Sequence, residues 1–190
     1  MKVGLFFGSF NPIHIGHLII ANIAQQNTDV DEVWFIVSPQ NPFKQNKNLL
    51  HEFDRLDLVQ QAIAEDFHFK VSDIEFNMNR PSYTIDTLAV LREKYDHDFR
   101  LIIGEDNLAS FTKWKNHQII LDDFGLIVYP RPNSKESELI AHPRVEMIEA
   151  PKIDISATLI RKMIRSGKSI KYLVPESVEQ QIIAKKFFLD

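Results

Sequence analysis

The chain has 190 residues, 44% of them hydrophobic and 25% charged, with a formal net charge of -4 at pH 7. This length fits one domain, and the composition is that of a globular protein rather than a disordered or membrane-embedded chain. The absence of cysteine excludes disulfides, thiolate metal sites and cysteine nucleophiles, and the acidic balance argues against a general nucleic-acid binder.

The N-terminus leads from Lys2 directly into a strand-like run, which is not the pattern of a signal peptide. No apolar run approaches the roughly 20 residues that a membrane-spanning helix requires. We therefore expect a cytoplasmic protein that binds neither membrane nor nucleic acid, and a homo-oligomeric state stays open.

Short, almost continuous apolar runs predict strands that are buried on both faces. The clear runs are Lys2–Phe7, Glu32–Val37, Phe99–Ile103 and Phe124–Tyr129, and the weaker ones are Phe67–Val71 and Arg144–Ile148. Helical patterns fill the intervals, over Ile15–Gln26, Glu52–Glu65, Thr84–Tyr95, Trp114–Leu121, Ala157–Ser166 and Pro175–Phe187. This alternation predicts an α/β fold, a Rossmann-like open parallel sheet with helices on both faces. We expect a single domain over residues 1–190 that ends in C-terminal helices.

The first predicted strand runs into Gly8-Ser9-Phe10-Asn11-Pro12, and the first helix begins within His14-Ile15-Gly16-His17. Open parallel sheets bind ligands at this carboxyl edge. Gly8 permits close approach of backbone to a ligand, and Ser9 offers a hydroxyl donor. The helix N-terminus adds unpaired N–H groups, so the segment predicts a site for an anion, most naturally a phosphate.

His14 and His17 are three residues apart on one helical face, so both imidazoles can reach one bound group, and Gly16 keeps bulk away from it. Imidazole donates a hydrogen bond to a phosphoryl oxygen in either protonation state. Two alternatives stay open. The pair is half of a metal site, although no third ligand stands at a recognisable spacing, or it only caps and packs the helix.

Other phosphate-binding patterns are incomplete. Gly4 and Gly8 have the wrong spacing for a dinucleotide fingerprint, and Ser166-Gly167-Lys168-Ser169 lacks the first glycine and the preceding strand of a P-loop. The basic run from Lys152 to Lys171 is by itself typical of a solvated helix face. Ser156 is the expected N-cap of the helix within it.

The string Gly8–Pro12 followed by His14–His17 resembles the signature of the nucleotidylyltransferase superfamily. Within that superfamily the chain is similar, over nearly its whole length, to the bacterial nicotinate-nucleotide adenylyltransferase family. The blocks that carry the narrower resemblance are Arg80–Leu88, Ile103–Asn107, Trp114, Arg131–Pro132 and Ile155–Arg161.

The resemblance implies an enzyme that uses Mg²⁺ and transfers AMP from ATP to nicotinate mononucleotide, giving nicotinate adenine dinucleotide and pyrophosphate. It also implies direct in-line attack on the α-phosphorus, for which positioning and charge stabilisation suffice. His17 would bind the α-phosphate and its developing charge, His14 the triphosphate beside it, and Arg161 the phosphates.

The remaining implied contacts fall into two groups. The ATP-binding residues would be Gly8, Ser9, Phe10, Gly16, Gly104, Asp106, Ser156 and Thr158. The residues for the nicotinate substrate would be Lys44, Tyr83, Thr84 and Trp114. No residue is assigned as a metal ligand. Without the resemblance, Asp106 fits helix capping equally well, Trp114 fits the core, and Lys44 fits a solvent-exposed loop.

The chain departs from the family pattern at several positions. Phe43 stands where histidine is common, Lys115 where an aromatic is common, Phe7 for a glycine and Ala157 for a serine. None of these changes removes a group that the chemistry requires. The alternatives are the same chemistry on nicotinamide mononucleotide or phosphopantetheine, and a nucleotide-binding sensor without turnover.

Overall fold

Apolar runs along the chain form the strands of one sheet in the computed structural model, which describes residues 1–39 and 49–189. The strands are Lys2–Gly8 (β1), Glu32–Val37 (β2), Phe69–Ser72 (β3), Asp98–Gly104 (β4), Leu126–Tyr129 (β5) and Val145–Met147 (β6). Their order is β3-β2-β1-β4-β5-β6, and each neighbouring pair is parallel. This is the Rossmann strand order, so the predicted fold class is confirmed.

Helices connect the strands within the described residues. They span Ile15–Asn27 (α1), Glu52–Ala62 (α2), Thr84–Lys94 (α3), Glu105–Leu108 (α4), His117–Ile119 (α5), Ala157–Arg165 (α6) and Glu176–Ala184 (α7). Shorter 3₁₀ segments lie at Ile74–Asn77, Phe111–Lys113 and Glu138–Ala141, and a π-helical segment at Ile120–Phe124 follows α5.

Alternate residues of each strand enter two separate cores, because successive side chains point to opposite faces of a sheet. On β2, Phe35 packs in one core and Trp34 in the other. The first core also holds apolar residues of α1, α2, α6 and α7, and the second those of α3 and the segments from α4 to Phe124. Both faces of the sheet are therefore covered by helices, as the continuous apolar strands predicted.

The predicted element boundaries are wrong in one region. The predicted helix Trp114–Leu121 begins only at His117, because Asn116 adopts the left-handed region with φ +52° and interrupts it. The helical segment then continues through Phe124, which was predicted as the start of a strand, until Gly125 turns the chain at φ +76°. Asparagine and glycine tolerate this backbone region better than other residues.

The C-terminal helix α7 packs on α2. Lys185 lies 3.2 Å from Asp57 and 3.5 Å from Asp54, and Ser177 donates to the carbonyl of Gln61. Among residues 1–39 and 49–189, no helix combines the length and the apolar character needed to cross a membrane.

The two central strands, β1 and β4, separate at their carboxyl ends, and the gap between them determines where the cleft lies. The pairing of β1 with β4 ends at Leu5 and Leu101, whereas β1 stays paired with β2 as far as Gly8, and β4 with β5 as far as Gly104. The last residues of β1 and β4 therefore diverge. The resulting cleft lies where the strand order reverses, which is the position at which open α/β sheets bind ligands.

Candidate active site

Two adjoining cavities occupy the cleft between β1 and β4. The first, of about 470 Å³, is lined among others by Ser9, His14, Gly16, His17, Arg131, Ser156, Thr158 and Arg161. The second, of about 510 Å³, is lined among others by Gly8, Ser9, Phe10, His17, Asp106, Trp114 and Arg131. Ser9, His17 and Arg131 line both cavities, so these side chains mark the junction between them. The structure thus gathers most of the sequence-predicted site residues in one continuous cleft.

The loop after β1 is shaped by the contact of Gly8 with Phe10. Phe10 has φ +44° and is 2% exposed, and its ring lies so close to Gly8 that a Cβ there would come within 2.7 Å of it. The same ring packs edge-on against His17, with the centroids 5.1 Å apart. Gly8 is therefore required for space, and Phe10 supports the His17 ring from the core as well as lining the second cavity.

Asn11 is held from two sides. Its side-chain oxygen accepts a hydrogen bond from the Leu50 N–H at 3.1 Å, and its carbonyl accepts one from Arg161 Nη1 at 2.7 Å. The Asn11–Pro12 peptide bond is cis. These contacts fix the end of the β1–α1 loop immediately before the histidines.

His14 and His17 stack at the start of α1, with ring centroids 3.7 Å apart and an angle of 25° between the planes. The His14 backbone N–H donates to Nδ1 of His17 at 3.2 Å. A neutral His17 therefore carries its proton on Nε2, which leaves that atom as a hydrogen-bond donor.

On the neighbouring ring, His14 Nδ1 is buried and has no hydrogen-bond partner among the described residues. A Cβ at Gly16 would lie 3.1 Å from this atom. Gly16 thus keeps space open beside a polar atom that lacks a partner, as an incoming ligand requires.

Both histidines are neutral at pH 7. Burial, together with the positive charge of Arg131, lowers the pKa of His14 to about 4. Burial, the neighbouring His14 and Arg131 hold the pKa of His17 well below its usual value. The two rings therefore act as N–H donors, and the positive charge of the cleft comes from arginine side chains.

Helix α6 brings its N-terminus to the first cavity. Ser156 caps it, since its Oγ accepts a hydrogen bond from the Leu159 N–H at 3.2 Å, which confirms the predicted N-cap. Arg161 donates to Thr158 Oγ1 at 3.2 Å, while its Nε is buried with no partner among the described residues. Arg165, the last residue of α6, and Lys168, which lies beyond the helix, are exposed, as expected for solvated charges.

Arg131 is a site residue to which the sequence analysis gave no role. It lines both cavities, its Nε lies 3.6 Å from Asp106 Oδ1, and its guanidinium is 5.8 Å from the centre of the Tyr129 ring. The signal that points to it is position, because Arg131 follows β5 at the same carboxyl edge as Gly8 and Gly104.

Asp106 and Gly104 lie close together at the end of β4. A Cβ at Gly104 would collide with the Asp106 carboxylate and come within 3.2 Å of the Tyr129 ring. Asp106 lies in the first turn of α4, where Gly104 is the N-cap residue, and it lines the second cavity.

The residues predicted for the nicotinate substrate are only partly brought together. Trp114 lines the second cavity and packs on Phe111, with the ring centroids 5.3 Å apart. Tyr83 and Thr84, both within the described residues, line neither cavity. Instead, the Lys115 ammonium lies over the Tyr83 ring, 4.9 Å from the ring centroid, and Lys115 forms an ion pair with Asp86 at 2.9 Å.

Two positions singled out in the sequence, Lys44 and Phe43, lie outside the described residues. The contact proposed for Lys44 with the substrate therefore stays a prediction.

The donor set of the cleft has the chemistry of a phosphate site. In residues 1–39 and 49–189, no group of three or more His, Asp or Glu side chains is arranged to hold a metal ion. Mg²⁺ that enters with a nucleotide needs few protein ligands, because phosphate oxygens and water supply most of its coordination. The one carboxylate among the predicted site residues that line these cavities is Asp106.

The chain is similar to known proteins over nearly its whole length. The chain matches the cytidylyltransferase-like family model over residues 5–163. It is 57% identical to a Cytophaga hutchinsonii protein named "Probable nicotinate-nucleotide adenylyltransferase", over 99% of this chain and 98% of that protein. The corresponding protein of Flavobacterium johnsoniae is 45% identical over 99% of both chains.

A solved structure has the same fold at lower sequence identity. The Plasmodium falciparum nicotinic acid mononucleotide adenylyltransferase, complexed with NaAD, superposes with a TM-score of 0.81 over 98% of this chain and 97% of its own, at 20% identity. At that identity the likeness supports the fold, and the site is argued from the residues of this chain.

Proposed function

Because the chain belongs to the nicotinate-nucleotide adenylyltransferases within the cytidylyltransferase-like family, we propose that it transfers AMP from ATP to nicotinate mononucleotide, releasing pyrophosphate. The product is nicotinate adenine dinucleotide, so the enzyme is a nucleotidyltransferase of NAD biosynthesis. The observation that carries the proposal is the pair of joined cavities at the divergence of β1 and β4, with His17 at their junction. We assign the first cavity to ATP and the second to the mononucleotide, and we place the reacting phosphorus at the junction of the two cavities.

The first cavity suits the triphosphate of ATP. Arg161 supplies a guanidinium with an unpartnered buried Nε, and His14 supplies an unpartnered buried ring nitrogen. Ser156 and Thr158 stand at the N-terminus of α6, whose backbone N–H groups attract anions. Asp106 lines the second cavity, where it lies beside Arg131 at the junction, and it remains our proposal for the ribose contact of ATP, reached from that side.

His17 has the position of the group that stabilises the transferred phosphate. Its Nδ1 accepts from the His14 backbone, so a neutral His17 directs its proton, on Nε2, to a ligand. Attack by the mononucleotide phosphate on the α-phosphorus increases charge on the non-bridging oxygens, and a fixed donor there lowers the barrier. Ser9 and Arg131, which also line both cavities, add donors to the same junction.

Neutral histidines suit this role for an electrostatic reason. The cleft already contains Arg131 and Arg161, and two further cations would have to be buried beside them. Imidazole rings that donate without carrying charge stabilise the reacting phosphate without the cost of burying further cations.

The second cavity suits the mononucleotide. Trp114 offers an aromatic face for the nicotinate ring. Tyr83, Thr84 and Lys44 remain proposed contacts. They rest on the family resemblance, since Tyr83 and Thr84 do not line the cavity.

Mg²⁺ is proposed as the cation of the ATP substrate, where it neutralises phosphate charge. We also propose that the chain acts in the cytoplasm, where its nucleotide substrates are found.

The decisive experiment is an assay of pyrophosphate release from ATP, with nicotinate mononucleotide, nicotinamide mononucleotide or phosphopantetheine offered separately. We expect turnover with nicotinate mononucleotide and weaker turnover with the other two. No turnover with any acceptor would leave only a nucleotide-binding protein, and preference for phosphopantetheine would contradict the family assignment.

A further inference from the structure

Arg55 on α2 carries a buried guanidinium that has no carboxylate among its hydrogen-bond partners in residues 1–39 and 49–189. Its side chain is 0% exposed. Burial lowers its pKa to about 10, so it remains protonated at neutral pH. Glu52, the neighbouring carboxylate that acts on it, lies 2.5 Å from Arg80 in an ion pair of its own. A buried cation without a bonded anion is costly, so the groups that it contacts need an explanation.

Within the part of the chain that the structure describes, the hydrogen bonds of Arg55 all run to main-chain carbonyls. They join Nε to Leu50 at 2.9 Å, Nη1 to Ser9 at 2.6 Å and Ser38 at 2.7 Å, and Nη2 to Pro39 at 3.0 Å. These carbonyls belong to three separate segments, which are the β1–α1 loop, the chain after β2 and the chain before α2. One planar guanidinium therefore fastens three segments at a single point.

The same segments are also joined directly. The Ser38 N–H donates to the Gly8 carbonyl at 2.9 Å, and the Leu50 N–H donates to Asn11 Oδ1 at 3.1 Å. Arg55 therefore reinforces contacts that hold the β1–α1 loop against its two neighbours.

The contact with Ser9 sets the direction of one peptide group. Because a trans peptide is planar, with C=O and N–H on opposite sides, a Ser9 carbonyl directed at Arg55 turns the Phe10 N–H away from it. Arg161 binds the Asn11 carbonyl two residues later. Two guanidinium groups thus hold two carbonyls of the loop that lines both cavities.

We propose that Arg55 is a positioning residue for the reaction: its guanidinium fixes the Ser9–Phe10 peptide and so presets the phosphate-facing loop. The kinetic consequences of this inference rest on the proposed function. Its structural consequences rest on the hydrogen bonds of Arg55. Lysine cannot substitute, because its single ammonium cannot reach carbonyls arranged around a planar fork.

Arg100 on β4 provides a matched control. Its side chain is partly buried, with Nη1 at 2.6 Å from Glu146 and Nη2 at 3.3 Å from the Leu126 carbonyl. It lies near the amino end of the strand, at the edge of the sheet opposite the cleft. Arg100→Lys therefore makes the same substitution in a hydrogen-bonded arginine of the sheet without touching the β1–α1 loop.

The experiment compares the full-length protein with Arg55→Lys and Arg100→Lys by steady-state kinetics, calorimetric titration with ATP, and amide hydrogen exchange of the peptide covering residues 8–13. We expect Arg55→Lys to lose about 10²-fold in kcat/KM, the scale of a small misplacement of reacting groups, to bind ATP more weakly and to exchange faster in that peptide. Arg100→Lys should lower Tm and leave all three readouts unchanged.

The possible results distinguish a positioning role of Arg55 from a role in stability alone. An Arg55→Lys variant with a lowered Tm but wild-type kinetics, ATP binding and exchange would overturn the proposal. If that variant does not fold, Arg55→Gln is measured in the same way, and failure of both to fold would assign Arg55 to stability alone and also overturn it. An inactive wild-type protein would refute the proposed function instead, while the ATP titration and the exchange would still report on Arg55.

Discussion

Arg131 lies at the same cleft as His14, and its charge helps to keep that histidine neutral although the two residues are 117 positions apart in the chain. Burial is the larger cause of the lowered pKa, and the arginine adds to it. The arrangement separates two tasks. Arginines carry the positive charge that attracts phosphate, and the stacked imidazoles donate hydrogen bonds without charge.

Replacing His17 by alanine removes the donor at the junction of the two cavities. We expect His17→Ala to lower kcat by about 10²-fold or more, the usual loss for one preorganised charge-stabilising donor. Steady-state pyrophosphate release measures it. His68→Ala, at an exposed site, is the control and should behave as wild type. Near-normal turnover of His17→Ala would contradict the role assigned to that ring.

The neutral state of His14 makes the stability of the ligand-free protein depend on pH. The unfolded chain titrates near 6.5 and the folded protein near 4, so the unfolded state binds more protons between these values. The contribution of His14 is fully present above pH 6.5 and is lost as the pH falls towards 4. A difference of this size corresponds to about 3 kcal/mol.

Urea unfolding of wild type and His14→Asn at pH 7 and pH 4.5 measures this dependence. We expect the loss of unfolding free energy on acidification to be smaller in His14→Asn. His68→Asn should lose as much as wild type. An equal loss in all three proteins would show that His14 is not held neutral by the fold.

Removing the charge of Arg131 tests both of its effects. Arg131→Met should raise the pKa of His14, although burial still keeps it below its ordinary value. It should also lower kcat/KM by about tenfold or more, the scale of a lost hydrogen bond to a charged group. NMR titration of the histidine ring protons and steady-state kinetics give the two readouts. Arg144→Met, at an exposed position, is the control and should change neither the titration nor the kinetics. An unchanged titration of His14 in Arg131→Met would show that the charge of Arg131 does not act on His14.

Trp114 tests the assignment of the second cavity to the mononucleotide. Trp114→Ala should raise KM for nicotinate mononucleotide by about tenfold, the order expected for one aromatic stacking contact, and leave KM for ATP nearly unchanged. Trp34→Phe is the matched control, because Trp34 is buried in the core beneath the sheet and should affect Tm alone. A larger effect of Trp114→Ala on KM for ATP would reverse the assignment of the two cavities.

Much of the fold could be predicted because its signals are local. The apolar run from Lys2 and the glycine that ends it identify β1, and Ser156 before Ala157 identifies the cap of α6. The boundaries of the helix and the strand between Trp114 and Tyr129 could not be predicted, because helical and strand-like apolar residues follow each other there. Only the backbone of Asn116 and Gly125 separates the elements.

The phosphate loop and the paired histidines were likewise readable, since residue type and spacing along one turn determine which groups can meet. The sequence alone therefore determined the fold class and the family, and it predicted a phosphate site. Tertiary structure decided which distant side chains come to that site. Arg131 belongs to a block shared with the family and Arg55 has no distinctive local pattern, and the roles proposed for both depend on the strand order, which brings β5 and α2 beside the β1–α1 loop. The charge state of the histidines was also decided there, because burial and a neighbouring cation are properties of the folded chain and not of any short segment.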